Sequence, residues 1–167
     1  MAQINQIKRK VLDWPSAKQV VQQWQDSGLE IVFTNGCFDL LHYGHLHYLA
    51  EAKDLGDKLI VGLNSADSVR RLKGDHRPIN DELTRQINLA SLQFVDLVVA
   101  FEQDTPQEII DLLLPDILVK GGDYTIEDIV GANTVLEHGG QVKTLDFIPG
   151  YSTTSIEQRI RSMHKDQ

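Results

Sequence analysis

Short apolar runs alternate with segments of helical periodicity along most of this chain. The runs lie within 29–34, 58–63, 95–101, 116–123 and 141–147, and the helical segments lie at 16–27, 46–56, from 65, 81–93, 105–115, 125–138 and from 152. Runs of this length, bounded by turn residues, are typical of buried strands. Strands that alternate with helices are joined by right-handed crossovers. The pattern therefore predicts an α/β fold with a doubly wound, five-stranded parallel sheet covered by helices on both faces.

The predicted elements divide the chain into three segments of one domain, since 167 residues suit a single core. Residues 1–28 hold a leading helix, residues 29–151 the core, and residues 152–167 a C-terminal helix. We expect Ser16 to cap the leading helix and Gly28 to end it. Thr125 and Asp128 resemble a capping box for the helix before the last strand.

Ligands of doubly wound sheets bind outside the carboxyl ends of the strands, where the strand order reverses. The loops that follow the predicted strands are therefore the places where function is expected. They comprise residues 35–45, 64–80, 120–124 and 149–155.

The charge of the chain argues against a general nucleic-acid binder. The formal net charge is −8, and residues 29–150 contain 20 acidic and 9 basic side chains. An acidic field repels a polyanion. Five of those nine basic residues nevertheless fall in one stretch, namely Arg70, Arg71, Lys73, Arg77 and Arg85. This cluster indicates either a small anionic ligand or a solvated loop with local ion pairs.

The apolar runs and the cysteine content bear on location. None of the runs approaches the roughly 18 to 20 residues that a membrane span requires, and the basic N-terminal residues precede no apolar stretch of signal-peptide length. The single cysteine, Cys37, excludes an internal disulfide framework. We expect a cytoplasmic protein that neither binds nor spans a membrane.

His42, Gly44 and His45 begin a helix in the first of these loops. A helix N-terminus presents free N–H groups and partial positive charge, so two imidazoles there complete a cradle for an anion, and glycine lets a phosphate approach the backbone. The alternative is that both histidines are surface or capping residues. Metal ligation with Cys37 or His47 is disfavoured, because the chain lacks a further cysteine to close a tetrahedral site. We assign no metal ligands.

The segment TNGCFDLLHYGH, with its H-x-G-H signature, resembles the cytidylyltransferase-like nucleotidyltransferases. Farther along, NSADSVRRLKGDHRPIN, FEQDTPQEII, PDILVKGGDY and GYSTTSI occur in the order seen in D-glycero-β-D-manno-heptose 1-phosphate adenylyltransferases of lipopolysaccharide core synthesis. The resemblance implies a Rossmann-like nucleotidyltransferase fold. It also implies transfer of AMP from ATP to a sugar 1-phosphate with release of pyrophosphate, and Mg²⁺ bound with the ATP.

The resemblance also implies roles for particular residues. His42, His45 and Lys73 would contact phosphates as catalytic residues. Cys37, Phe38, Gly44, Arg85, Gly121, Asp123, Tyr124, Ser152, Thr153 and Thr154 would bind the nucleotide, with the last three at the β and γ phosphates. For the final segment, a plain N-cap at the helix start is the alternative.

Two other functions stay open at this point. A glycerol 3-phosphate cytidylyltransferase, or another small-molecule nucleotidyltransferase, would share the scaffold, but the cytidylyl enzymes have an arginine shortly before the S-T-T motif where this chain reads FIPGYSTT. A non-catalytic nucleotide-binding module is the third hypothesis. The resemblance suggests a homodimer, and a separate heptose kinase chain as the source of the sugar 1-phosphate.

Overall fold

The computed structural model describes residues 1–122 and 124–163. Its centre is a parallel sheet whose strands are β1 (Val11–Leu12), β2 (Ile31–Gly36), β3 (Lys58–Asn64), β4 (Leu97–Phe101), β5 (Ile117–Gly121) and β6 (Gln141–Leu145). The helices are α1 (Ala2–Lys8), α2 (Trp14–Asp26), α3 (Tyr43–Lys53), α4 (Ala66–Lys73), α5 (Glu82–Ala90), α6 (Gln107–Leu113), α7 (Ala132–Glu137) and α8 (Thr153–Met163). A 3-10 turn at Ile126–Asp128 precedes α7. The predicted doubly wound α/β class is confirmed.

The strand order across the sheet is β1-β4-β3-β2-β5-β6. From β2 the chain first builds outward through β3 and β4, and then returns to the other side of β2 to add β5 and β6. The order therefore reverses between β2 and β5, where Val32 pairs with Ile117 and Phe33 with Leu118. A crevice at the carboxyl ends of these two strands is the expected ligand site.

The sheet separates two apolar clusters, one on each face. Phe33 and Leu118 belong to the cluster that packs against α2 and α6. Val32, Val119 and Leu49 belong to the other, which packs against α3 and α5. Successive residues of a strand point to opposite faces, so each of the central strands contributes to both clusters. Sheets buried in this way read as nearly continuous apolar runs, which is why β2 to β5 were predictable.

The sheet has six strands rather than the predicted five. The additional strand, β1, is a two-residue edge strand that pairs with β4 through Val11 and Val98. The preceding Lys10 anchors it, because its ammonium group donates to the carbonyls of Leu92 and Val95 at 3.2 and 2.7 Å. Two residues carry no periodicity, so the pattern of apolar residues does not reveal such a strand.

Several helix boundaries also differ from the prediction. Helix α1 was not predicted, and its residues bury no side chain fully. The cap of α2 is Asp13, whose carboxylate accepts the N–H of Ser16 at 2.9 Å, so the assignment of Ser16 as the cap was wrong. Residues 125–138 form the 3-10 turn and α7 instead of one helix, because Gly131 intervenes at φ +87°.

The C-terminal helix was predicted over 152–167, and α8 occupies Thr153–Met163 of that range. Residues 164–167 lie outside the described part of the chain. Among the described helices, none has the length and apolar character needed to cross a membrane.

Candidate active site at the sheet crossover

A cavity of about 1030 Å³ opens at the carboxyl ends of β2 and β5. It is bordered by the loop after β2, the start of α3, the end of α4, the end of β5 and the segment that leads into α8. The predicted site residues that line it are Cys37, Phe38, His42, Gly44, His45, Lys73, Gly121, Tyr124, Ser152, Thr153 and Thr154. Residues from four separate segments of the sequence thus meet at one cavity. Asp123 lies outside the described residues.

His42 is the N-cap of α3. Its Nδ1 accepts the backbone N–H of His45 at 3.3 Å, so His42 caps the helix and also lines the cavity. The two imidazoles are stacked with centroids 3.8 Å apart. A methyl group at Gly44 would lie 3.1 Å from Cβ of Tyr151 and 3.2 Å from Nδ1 of His42. The absence of a side chain at Gly44 therefore lets the segment before α8 pack closely on the start of α3.

His45 is neutral in the free site. Burial and the neighbouring His42 lower the pKa of His45 to about 4, and burial also lowers the pKa of His42. Both imidazoles are then hydrogen-bonding groups at neutral pH, and the fixed positive charge at the cavity comes from other residues. Nδ1 of His45 is buried without a hydrogen-bond partner among the described residues. The backbone of Leu40 favours the charged form of the His45 ring and so partly offsets the lowering of its pKa.

The loop after β2 packs against the His45 ring. Phe38 adopts a left-handed conformation at φ +40° and is almost fully buried. Its ring meets that of His45 edge-on at 5.2 Å. A methyl group at Gly36 would lie 2.9 Å from the Phe38 ring. The absence of a side chain at Gly36 thus leaves room for the Phe38 ring, which packs against His45. Burial raises the pKa of the Cys37 thiol, which disfavours a reactive thiolate there.

Arg85 does not line the cavity, although it was predicted to contact phosphate. Its side chain is fully buried beneath the loop. Nη1 donates to the carbonyls of Cys37 and Asn64 at 2.9 and 2.7 Å. The guanidinium therefore joins the ends of β2 and β3 by their backbones. In this structure Arg85 positions the loop that carries the site instead of facing the cavity.

The basic cluster of residues 70–85 divides into groups with different surroundings. Arg70 pairs with Asp67 and Arg71 with Asp104, both on the surface, as the ion-pair alternative expects. Lys73, at the exposed end of α4, lines the cavity. The basic cluster therefore does not form a single anion site. Lys73 is one of the cluster residues that line the cavity.

Arg77, a member of the basic cluster with no predicted role of its own, also lines the cavity. It lies 3.2 Å from the buried carboxylate of Asp39 and also pairs with Glu157 on α8. Asp39 further accepts the backbone N–H groups of Ile79 and Asn80 at 2.8 Å each. This network ties the basic loop to the loop after β2 and to the last helix.

Lys120 is a second cavity residue outside the predicted set. It lies on β5, where burial lowers its pKa, with Nζ 3.5 Å from Oδ1 of Asn35 and 5.8 Å from the centre of the Tyr124 ring. Its position at the end of a predicted strand, just before the Gly-Gly turn, could have identified it as a site residue. Next to it, a methyl group at Gly121 would lie 2.5 Å from the Phe147 ring. Phe147 itself is 58% exposed and lines the cavity.

The start of α8 combines a helix cap with cavity-facing hydroxyl residues. Oγ of Ser152 accepts the backbone N–H of Ser155 at 3.0 Å, so Ser152 caps this helix. Thr153 and Thr154 lie in its first turn and line the cavity. Two helix N-termini, those of α3 and α8, therefore border one cavity, and such N-termini attract anions. Among the described residues, no group of three His, Cys, Asp or Glu side chains is placed to hold a metal ion.

Comparisons with known proteins agree with this geometry. Residues 33–159 match the family model described as cytidylyltransferase-like. The chain is 58% identical to the bifunctional protein HldE of Marinomonas sp. (strain MWYL1) over 135 residues, 81% of this chain and 28% of that protein. It is 54% identical to the protein of the same name from Rhodospirillum rubrum, over 90% of this chain and 30% of that protein. The chain thus spans less than a third of the length of these curated relatives.

Solved structures include two similar folds. The lipopolysaccharide core biosynthesis protein from Thermoplasma volcanium aligns with a TM-score of 0.58 at 32% identity, over 72% of this chain and 98% of that one. Pantoate-beta-alanine ligase from Francisella tularensis aligns with a TM-score of 0.59 at 12% identity, over 90% of this chain and 76% of that one, which shows a shared fold. The family match covers most of the sheet, the histidine pair and the start of α8, and this chain belongs to the cytidylyltransferase-like family.

Proposed function

We propose that this chain transfers AMP from ATP to D-glycero-β-D-manno-heptose 1-phosphate, which yields ADP-heptose and pyrophosphate for lipopolysaccharide core synthesis. The observation that carries the proposal is the meeting of the histidine pair, Lys73 and the start of α8 at one cavity. These groups are suited to holding a triphosphate.

The reaction in this proposal is an in-line displacement. An oxygen of the sugar 1-phosphate forms a bond to the α-phosphorus of ATP. The bond from that phosphorus to the oxygen bridging the α and β phosphates breaks, and this oxygen leaves as a terminal oxygen of pyrophosphate. The nucleophile is already an anion at neutral pH, so no general base is needed. The carboxylate of Asp39 accepts two backbone N–H groups and pairs with Arg77, which supports a structural role for it. The protein must align two polyanions and stabilise the charge that develops between them.

Each cavity group has a part in this scheme. The imidazoles of His42 and His45 donate hydrogen bonds to phosphate oxygens, and a bound triphosphate raises the pKa of both rings because it favours their charged forms. Lys73 supplies a fixed positive charge at the same cavity. The backbone N–H groups at the start of α8, with Thr153 and Thr154, hold the β and γ phosphates. Gly121 and Tyr124 border the base and ribose.

The comparisons support the choice of acceptor. The Thermoplasma protein is named for lipopolysaccharide core biosynthesis and is 32% identical to this chain. The longer relatives are named bifunctional, which supports an association of this activity with a second one. We propose that a sugar kinase supplies the 1-phosphate. Mg²⁺ would accompany the ATP, held by phosphate oxygens and water, as this cation prefers.

The decisive experiment is a matrix of nucleotides and acceptors with pyrophosphate as the readout. ATP and CTP are each incubated with heptose 1-phosphate, glycerol 3-phosphate and no acceptor, in the presence of Mg²⁺. The proposal expects rapid pyrophosphate release with ATP and heptose 1-phosphate together, and a background rate elsewhere. Release with CTP and glycerol 3-phosphate instead would identify a cytidylyltransferase. Nucleotide binding without release in any mixture would indicate a non-catalytic module.

A further inference from the structure

We propose that Lys120 binds the phosphate group of the acceptor and so helps to place the oxygen that attacks the nucleotide. This inference rests on the proposed function and adds a specific residue to it. Lys120 lies at the carboxyl end of β5, beside β2, where the strand order reverses. Its side chain lines the same cavity as the histidine pair.

The alternation of β5 shows on which side of the sheet this lysine lies. Val119 packs into the cluster that contains Leu49 of α3, whereas Leu118 packs into the opposite cluster with Phe33. Lys120 shares the face of Leu118, because side chains two residues apart point the same way. Its contact with Asn35, which is two residues after Phe33 on β2, agrees with this placement. Lys120 therefore faces away from α3.

The histidine pair and the segment before α8, which we propose contact the triphosphate, lie on the α3 side. His42 and His45 are on the first turn of α3, and the segment before α8 packs there too, since the rings of Tyr43 and Tyr151 meet at 5.1 Å. In an in-line displacement the attacking oxygen approaches the phosphorus from the side opposite the leaving group. A positive group across the cavity from the pyrophosphate is thus suited to the incoming phosphate.

The surroundings of Lys120 also favour an anionic ligand. Lys53 and Lys58 both pair with Asp96, at 2.8 and 3.2 Å. Within residues 1–122 and 124–163, by contrast, Lys120 has the Asn35 amide oxygen and the Tyr124 ring as polar and aromatic neighbours, and forms no ion pair with a carboxylate. Burial disfavours its charged form, and a phosphate beside the ammonium group would offset that cost.

The test compares three variants by two measurements. Lys120→Met removes the charge, Lys120→Arg keeps it, and Lys143→Met is the matched control on neighbouring β6, because Lys143 does not line the cavity. The KM for heptose 1-phosphate is obtained from pyrophosphate release. The Kd for ATP with Mg²⁺ is measured by calorimetry without acceptor, and the thermal unfolding temperature is recorded for each protein.

For Lys120→Met we expect the acceptor KM to rise about 10- to 100-fold, as loss of a hydrogen bond to a charged group predicts, while the Kd for ATP stays within about twofold. Lys120→Arg should recover most of that loss, and Lys143→Met should match the parent. An unchanged acceptor KM in Lys120→Met would overturn the proposal, as would a Kd for ATP that rises by the same factor as the acceptor KM.

Failure of the proposed function gives a different result. If the parent chain uses glycerol 3-phosphate but not heptose 1-phosphate, the proposed acceptor is wrong, and the inference about Lys120 is tested with glycerol 3-phosphate by the same comparison. If the parent binds ATP but releases no pyrophosphate with any phosphorylated acceptor, both proposals are overturned.

Discussion

The imidazole rings of His42 and His45 lie stacked, with their centroids 3.8 Å apart and their planes inclined by 18°. His42 also accepts the backbone N–H of His45, so the cap of α3 and the buried ring beside it form one unit. Two charged imidazoliums in this arrangement would repel each other. Burial, with this contact, therefore keeps the histidine pair uncharged at neutral pH.

Replacement of His45 tests its part in the reaction. We expect His45→Ala to lower the rate of pyrophosphate release by about 100- to 1,000-fold, since loss of one preorganised donor to a transition-state oxygen typically costs ~2.7 to 4 kcal/mol. Single-turnover measurements at saturating ATP and acceptor would show this. Circular dichroism should show an intact fold. A purified variant that works at nearly the parental rate would remove His45 from the mechanism.

The lowered pKa of His45 predicts a loss of stability in mild acid. Its pKa falls from 6.5 to about 4 in the folded chain, so between these values the unfolded state binds more protons and stability decreases as the pH falls. Unfolding temperatures of the parent and His45→Gln, measured from pH 7.5 to 4, should converge or cross as the pH falls. The variant has no imidazole at this position and so lacks its pH-dependent loss of stability. Parallel profiles over the whole range would contradict the assigned pKa.

Replacement of Lys73 separates a ligand contact from a structural one. Lys73 is exposed at the end of α4, so Lys73→Ala should change the free energy of unfolding by no more than about 0.5 kcal/mol. The KM for one of the two substrates should rise about 10-fold or more. Arg70→Ala, one turn earlier on the same helix, is the control and should leave both KM values unchanged. A collapse of the melting temperature in Lys73→Ala would indicate a structural role.

Replacement of Arg85 distinguishes its observed position from the predicted one. Arg85→Met leaves the carbonyls of Cys37 and Asn64 without their donor. Each unsatisfied buried acceptor costs about 1 to 3 kcal/mol, so urea denaturation should show a stability lower by about 2 to 6 kcal/mol. If the variant instead keeps its stability and loses affinity for ATP, the guanidinium contacts phosphate after all.

The central part of the fold follows from local patterns. Strands β2 to β5 are short apolar runs between turn residues. The N-caps Ser65 and Asp81 also lie at predicted helix starts. The features of the fold that the sequence did not predict depend on contacts between residues distant in the chain. Strand β1 exists because β4 offers an unpaired edge, and Lys10 reaches carbonyls more than 80 residues away.

The site shows the same division. The residues of H-x-G-H and the S-T-T segment are near in sequence to helix starts, so their placement at a cavity was predictable from the fold. Arg77 and Lys120 were not identified, because their use depends on which charged groups surround them after folding. Arg85 was assigned to phosphate by resemblance, whereas its burial beneath the loop after β2 is a property of the packed chain.

The most direct test of this account is a crystal structure with Mg²⁺ and α,β-methylene-ATP, which cannot release pyrophosphate. The account predicts that the triphosphate lies in the cavity between the starts of α3 and α8, with phosphate oxygens within hydrogen-bond distance of His45 and of the backbone N–H groups of Thr153 and Thr154. A nucleotide bound elsewhere, or bound with its phosphates directed away from both helix starts, would contradict it.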